Sequence, residues 1–241
     1  MIYVTSDLHG CYDEFMELLE TIHFSEQDEL YILGDVIDRG LAPMKLLQYI
    51  MAQENIHMIM GNHEDMFMKS IIPPYYSPEK RNKLQKDFQF QSNQNLWFYH
   101  NGGYTTAIEY NKLSFKEQSQ LYYFLNALPY HKVLTVNDVK FLLVHGYPSS
   151  EYIKNPKKED NKEIVLWDRI KHYDIDVDLV PGYKTISGHT PTFSYGIEYA
   201  NKVIEGENKY IIDGGCVFGY SLTCLCLNDM AYTYIKAKNT N

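Results

Sequence analysis

"YILGDVIDRG", Tyr31 to Gly40, runs from an apolar stretch that reads as a buried strand directly into two aspartates and an arginine within five positions. A strand that ends in charge delivers polar groups rather than burying them. The pattern recurs on both sides. Upstream, "IYVTS" (2–6) is β-branched and aromatic, passes through "DLHG" and meets "DEFMELLETI" (13–22), where Phe15, Leu18, Leu19 and Ile22 follow helical spacing. The central unit continues through "GLAP" into "MKLLQYIM" (44–51). Downstream, "IHMIM" (56–60) passes through a "GNHE" loop into "DMFMKSII" (65–72). Three such units predict an α/β arrangement of parallel strands covered by helices. Loops at the carboxyl ends of parallel strands share one edge of the sheet, so "SDLHG", "GDVIDRG" and "GNHE" are expected to meet.

Between Pro73 and Asn101 the chain turns amide-rich and aromatic without clear periodicity, which reads as an insertion or cap. The cap extends to about residue 130 and includes a helix at "SFKEQSQLYYFLNAL" (114–128), opened by Ser114 and Glu117 in capping-box spacing. Beyond it lie mostly strands: "KVLTV", "VKFLLVHG", "KTISGHT", "KYIIDGG", "LTCLCL" and "MAYTYI". Asn137-Asp138 and Asn228-Asp229 fall between apolar runs and predict hairpins, so the second half is expected to form a more antiparallel sheet. "KNPKKEDNKE" (154–163) reads as a solvated loop. The whole chain, 1–241, is expected to be one domain.

Of the 241 residues, 45% are hydrophobic, enough for a sizeable core. Lys and Arg number 22 against 31 Asp and Glu, a formal charge of -9, which disfavours broad nucleic-acid binding or an anionic membrane surface. No apolar run reaches bilayer length and the start lacks a signal-peptide pattern. The four cysteines show no paired metal-ligand spacing and read as reduced thiols, so a cytoplasmic protein is expected.

The residues gathered at strand ends are Asp7, His9, Asp35, Asp38, Arg39, Asn62, His63, His145, Arg169 and His189. Carboxylate with imidazole suits Mn, Fe or Zn. Six candidate ligands exceed the needs of one ion, so two ions bridged by a shared carboxylate are the natural reading. Paired ions serve displacement at phosphorus. That chemistry also asks for a proton donor to the leaving oxygen and for guanidinium on the phosphoryl oxygens; His63, Arg39 and Arg169 can supply them.

"SDLHG", "GDVIDRG" and "GNHE", followed by isolated "VHG" and "SGHT", resemble the motifs of calcineurin-like metallophosphoesterases, and within them the phosphoprotein phosphatase superfamily with its bacterial and phage members. The resemblance spans Asp7 to His189. It implies a four-layer α/β (α+β) sandwich, two face-to-face mixed β-sheets flanked by helices, with two divalent ions between them, foremost Mn with Fe or Zn as alternatives. It implies that Asp7 and His9 bind the first ion, Asp35 bridges both, and Asn62, His145 and His189 complete the second. His63 is then the general acid, oriented by Asp38. Arg39 and Arg169 hold phosphate, with Asn62 beside it; the Arg169 match rests on "LWDR". Ser6 replaces a usual glycine, a change expected to be harmless, and Tyr147 in "HGYP" is expected near the substrate mouth.

Taken singly, these residues have plainer readings. Asp7 or Asp35 alone is a helix N-cap, Asp38 a turn with a local ion pair, and Asn62 a turn residue. Asp213 in "IIDGG" is explained by a tight turn and stays outside the ligand set. Cys11 falls near the expected ions without a required role. The leading expectation is a metal-dependent phosphatase that hydrolyses phosphoserine or phosphothreonine in proteins by direct attack of a metal-bridging hydroxide. The alternatives are a symmetrical bis(5'-nucleosyl)-tetraphosphatase and a non-catalytic module that binds a phosphorylated partner. Small phosphoesters are further substrates to consider.

Overall fold

A computed structural model of the chain describes residues 1–155 and 159–238. In chain order, β1 (Ile2–Thr5), α1 (Tyr12–Thr21), β2 (Glu29–Ile32), α2 (Pro43–Met51), β3 (Ile56–Met58) and α3 (Asn62–Ser70) form the three expected units. β1 pairs in parallel with β2, and β2 with β3. The helix after β3 begins three residues earlier than the pattern predicts. Gly61 caps it and the Glu64 carboxylate accepts the Gly61 N–H at 3.1 Å, so "GNHE" is the first turn of α3 rather than a loop.

The segment without legible periodicity, 73–101, is helical: α4 (Pro78–Gln85), α5 (Phe88–Asn95) and a π-helical turn at Leu96–His100; α6 (Tyr104–Tyr110) follows, and α7 (Phe115–Asn126) is the helix expected after Ser114. Capping side chains define its ends. Ser77, Asp87 and Ser114 each accept an N–H from the first turn of their helix. Amphipathic periodicity is weak there because α4 buries no residue and α5 only Phe90.

The remainder comprises β4 (His131–Val136), β5 (Val139–Val144), α8 (Ser150–Lys154), α9 (Glu159–Trp167), β6 (Lys184–Ser187), β7 (Ile204–Glu205), β8 (Lys209–Ile211), β9 (Ser221–Cys226) and β10 (Tyr232–Lys236). Both hairpins form, β4 with β5 and β9 with β10. The solvated-loop reading of 154–163 is corrected in part: α8 ends at Lys154 and α9 starts at Glu159, while 156–158 lie outside the described residues.

Two five-stranded mixed sheets result, ordered β10-β9-β1-β2-β3 and β4-β5-β6-β8-β7. The second is less antiparallel than expected. Its centre, β5-β6-β8, is parallel, because the chain crosses over through α8 and α9 and then through the 188–208 connection before each strand. Alternation along each strand shows the layering. In β2, Leu30 and Ile32 join the helix-covered cluster with Phe15, Leu18, Leu47 and Phe67, whereas Tyr31 and Leu33 pack against Phe141, Leu143 and Ile186 of the other sheet. In β5, Phe141 and Leu143 face between the sheets, and Leu142 and Val144 pack outward with Val180. Strands buried on both faces explain the continuous apolar start of "YILGDVIDRG". Among the described residues no helix is long and apolar enough to cross a membrane.

Candidate metal centre

Parallel strands of both sheets end at one place. β1 and β2 run into Asp7, His9 and Asp35; β5, β6 and β8 run into His145, His189 and Asp213. The β1 and β2 loops are zipped together, with the N–H groups of Asp7, His9 and Gly10 donating to the carbonyls of Gly34, Asp35 and Val36 at 3.2, 2.9 and 2.8 Å. Asp7, His9, Asp35, Asp38, Arg39 and His189 all have φ between 40° and 71°, six of the eleven non-glycine residues with positive φ among the described residues. Left-handed conformations in non-glycine residues hold strain, and these six gather at one place.

Neither Asp7 nor Asp35 caps a helix of its own unit: the residues before α1, α2 and α3 are Cys11, Ala42 and Gly61. Asp35 instead reaches the centre. Its Oδ1 accepts the His63 N–H at 2.9 Å, and its Oδ2 lies 3.4 Å from His145 Nε2, 3.6 Å from His9 Nε2 and 3.9 Å from His63 Nε2. Asp7 Oδ2 accepts the Ser6 hydroxyl at 2.5 Å and the His189 N–H at 2.9 Å, leaving Oδ1 4.0 Å from His9 Nε2. Ser6 therefore orients a carboxylate. Asn62 Oδ1 sits 2.8 Å from His145 Nε2 and 2.9 Å from His189 Nδ1. Donor atoms of His9, Asp35 and His63, and again of Asp35, His145 and His189, converge to within 4.8 Å of one another.

Three of the four imidazoles spend their outer nitrogen on a backbone carbonyl. His9 Nδ1 bonds Ile37 O at 2.9 Å, His145 Nδ1 bonds Leu33 O at 2.7 Å, and His189 Nε2 bonds Trp167 O at 3.0 Å. The inward nitrogens are thereby left facing carboxylate and amide oxygens. Burial, with His145 and Arg169 nearby, lowers His189 to a pKa of about 3. The neutral ring has one proton for two acceptors, Trp167 O and Asn62 Oδ1, so one of the contacts at 3.0 and 2.9 Å has no hydrogen between its atoms. Burial, then Arg39 and His63, likewise keeps His9 neutral. Burial opposes charge on His145, but Asp35 and Asp7 raise it to about 9; the Nε2 proton so held sits where a cation would, and is the one an ion would displace. Asp35, despite its burial, is held well below the usual carboxylate range by His145 and His63. Acceptors packed against acceptors ask for cations, and this oxygen-and-imidazole set fits divalent ions.

His63 Nδ1 lies 2.6 Å from Asp38 Oδ2, and Asp38 is fully buried. Two residues outside the sequence-based set complete this pair: Trp97 Nε1–H donates to Asp38 Oδ2 at 2.9 Å and the Thr106 hydroxyl donates to Oδ1 at 2.6 Å. Both come from the cap segment. Glu64 was also missed. Its buried carboxylate accepts the N–H groups of Asp35, Val36, Ile37 and Gly61 at 2.8, 2.9, 3.3 and 3.1 Å, and burial beside Asp35 raises its pKa to about 7. Asp213 is buried near Asp7 and accepts the Gly215 N–H at 2.9 Å; burial and Asp7 keep its pKa well above the usual range.

The two arginines are placed differently. Arg39 bonds His9 Nε2 through NH1 at 2.7 Å, with its guanidinium 5.4 Å from the Phe218 ring. Arg169 is exposed and donates from NH1 to His189 O and Thr190 Oγ1 at 3.1 and 3.0 Å. Tyr147 packs with Ile170 and Ile175.

An acceptor cluster that calls for cations beside a carboxylate-held histidine suits displacement at phosphorus, and the class so defined is the metal-dependent phosphoester hydrolases. The model of the calcineurin-like phosphoesterases matches residues 1–203, and the chain belongs to that family. It is 26% identical to serine/threonine-protein phosphatase 1 of Salmonella typhimurium over 92% of this chain and 89% of that protein. It is 34% identical to the symmetrical bis(5'-nucleosyl)-tetraphosphatase of Glaesserella parasuis over 39% of this chain, a match that spans only 35% of that relative. In fold, the crystal structure of a candidate diadenosine tetraphosphatase superposes with a TM-score of 0.61 at 14% identity, over 99% of this chain and 94% of that one.

Proposed function

We infer that the chain hydrolyses phosphoserine and phosphothreonine monoesters in proteins, at the centre formed by Asp7, His9, Asp35, Asn62, His145 and His189. The observation that carries the catalytic reading is the buried Asp38–His63 pair, which points a histidine at the acceptor cluster. In this reading Asp7, His9 and Asp35 hold one ion, and Asp35, Asn62, His145 and His189 the other, with Mn the ion favoured by the donor set. When bound, such ions neutralise phosphoryl oxygens and acidify water for attack on phosphorus. The chain's own groups do the rest. Asp38 fixes His63 Nδ1–H, so the opposite nitrogen carries the proton given to the leaving oxygen. Arg39 and an ion compete for the same His9 Nε2 lone pair, so an ion-loaded centre frees the guanidinium to grip phosphate beside Arg169 and Asn62. The cysteines are unbridged, which fits a cytoplasmic setting.

The substrate class rests on the match to the Salmonella phosphatase along nearly the whole of both chains. A dinucleoside tetraphosphate is the second reading, supported by higher identity confined to about two-fifths of this chain. Initial rates on a phosphoserine/phosphothreonine peptide panel and on diadenosine tetraphosphate, measured side by side in Mn, Zn and Mg, separate them. Faster turnover of the peptides is expected; preference for the dinucleotide overturns the reading.

A further inference from the structure

The turn between β1 and α1 carries a second set of donor atoms that the phosphate chemistry does not use. One Sγ of Cys11, one Sγ of Cys216 and one carboxylate oxygen of Glu14 lie within 4.8 Å of one another. Cys216 and Glu14 are buried, Cys11 is half-buried, and neither thiol is bridged. Cys11 is the residue before α1, Glu14 lies in the first turn of that helix, and Cys216 opens the short turn Cys216–Phe218 that follows β8 and Asp213. The three groups therefore come together from segments about two hundred positions apart in sequence, joined by the fold.

We propose that Cys11, Glu14 and Cys216 form a third metal site, selective for a thiophilic divalent ion of the zinc type. Thiolates select soft or borderline ions, whereas the neighbouring centre offers only oxygen and imidazole. A tetrahedral ion with bonds of about 2.0–2.3 Å needs donors roughly 3.5–4 Å apart. One Glu14 oxygen is already oriented, since Oε1 accepts the Lys238 N–H at 2.9 Å. All three donors line a cavity of about 270 Å³ whose walls also include Gly10, Arg39 and Lys45, which leaves room for water as a fourth ligand. On binding, both thiols give up their protons to solvent, so two thiolates and one carboxylate face a doubly charged ion. Lys45 on the cavity wall offsets the remaining negative charge. The bound ion ties the turn presenting His9 to the turn that follows Asp213.

Cobalt titration of the full chain tests this, because a sulfur-to-cobalt charge-transfer band in the near ultraviolet can arise only from thiolate ligation. The band is expected to grow with one equivalent of cobalt beyond that taken by the oxygen-and-imidazole centre. It is expected to vanish in Cys216→Ser, with turnover of an aryl phosphate retained. Alkylation of Cys11 in the unaltered chain provides a measurement that needs no variant: zinc should slow it, and a chelator should restore it. Absence of the band at saturating cobalt, equal alkylation rates with and without zinc, or a Cys11–Cys216 disulfide that persists in the zinc-treated protein under thiol reductant each overturn the proposal.

Discussion

Replacing Trp97 by phenylalanine removes one hydrogen bond to Asp38 and little else that touches the centre. Asp38 is wholly shielded from solvent, and its carboxylate is held by His63 Nδ1, Trp97 Nε1 and the Thr106 hydroxyl at 2.6, 2.9 and 2.6 Å. A hydrogen bond to a buried charged acceptor is worth about 1.5–3 kcal/mol. If the loss falls on the orientation and charge of His63 in the transition state, at about 1.4 kcal/mol per decade it lowers kcat roughly ten- to hundredfold. Ion binding should not change, because Trp97 bonds Asp38 and no member of the acceptor cluster. The indole also packs edge-on against Phe67 with ring centroids 5.3 Å apart, so Tm falls as well. Phe67→Leu is the control: it disturbs the same packing and spares the bond. The assay is kcat on an aryl phosphate in saturating Mn, paired with metal counting and thermal melts. Asp38→Asn should leave little for Trp97→Phe to remove, so the double variant should fall short of additivity. Equal kcat losses in Trp97→Phe and Phe67→Leu at equal loss of Tm would refute the reasoning, since packing alone would then explain both.

His63→Asn should keep both ions and lower kcat about 10²- to 10⁴-fold, as expected for loss of a general acid; kinetics with metal counting checks it. Asp35→Asn should bind fewer ions than the native chain, because its carboxylate is the oxygen that approaches His9, His63 and His145 together; elemental analysis after desalting reads this, and chelation of the native chain should abolish turnover until Mn is restored. His131, half-buried with Nδ1 2.9 Å from the Tyr152 hydroxyl, has its pKa lowered by burial. The unfolded chain, with an ordinary value near 6.5, then binds more protons at acid pH. Stability from this group is present above about pH 6.5 and is lost as pH falls toward the lowered folded value. His131→Gln should flatten Tm against pH over that interval.

What the sequence displayed was strand ends, and what it hid was their support. Alternation and helical spacing expose the post-and-loop units because each depends on residues close in sequence. All six expected ligands, the Asp38–His63 pair and both arginines do come to one edge of the sheets, although Arg39 lies on His9 and Arg169 beside His189. The second sheet misled because its parallel order depends on crossovers, which local pattern does not record. Trp97 and Thr106 were hidden for a related reason: they reach Asp38 across 59 and 68 positions, from a segment whose first helices, α4 and α5, present no apolar stripe. A lone tryptophan in an amide-rich stretch was the only available signal. Glu64 stood in plain view inside "GNHE", yet three of its four backbone partners belong to a turn whose left-handed residues include aspartate and arginine as well as Gly34. That turn explains why so much charge follows "YIL". Asp35, Asp38 and Arg39 hold φ values of 54°, 71° and 66° that cost free energy in non-glycine residues. Glu64 offsets the cost by satisfying the turn's N–H groups from below, and Thr106 accepts the Asp38 N–H at 2.9 Å from the side. The strained turn points three charged side chains in three directions: Asp35 toward the histidines, Asp38 toward His63, and Arg39 toward His9. A relaxed turn of the same length, with its side chains following the strand's alternation, would not aim all three at one centre.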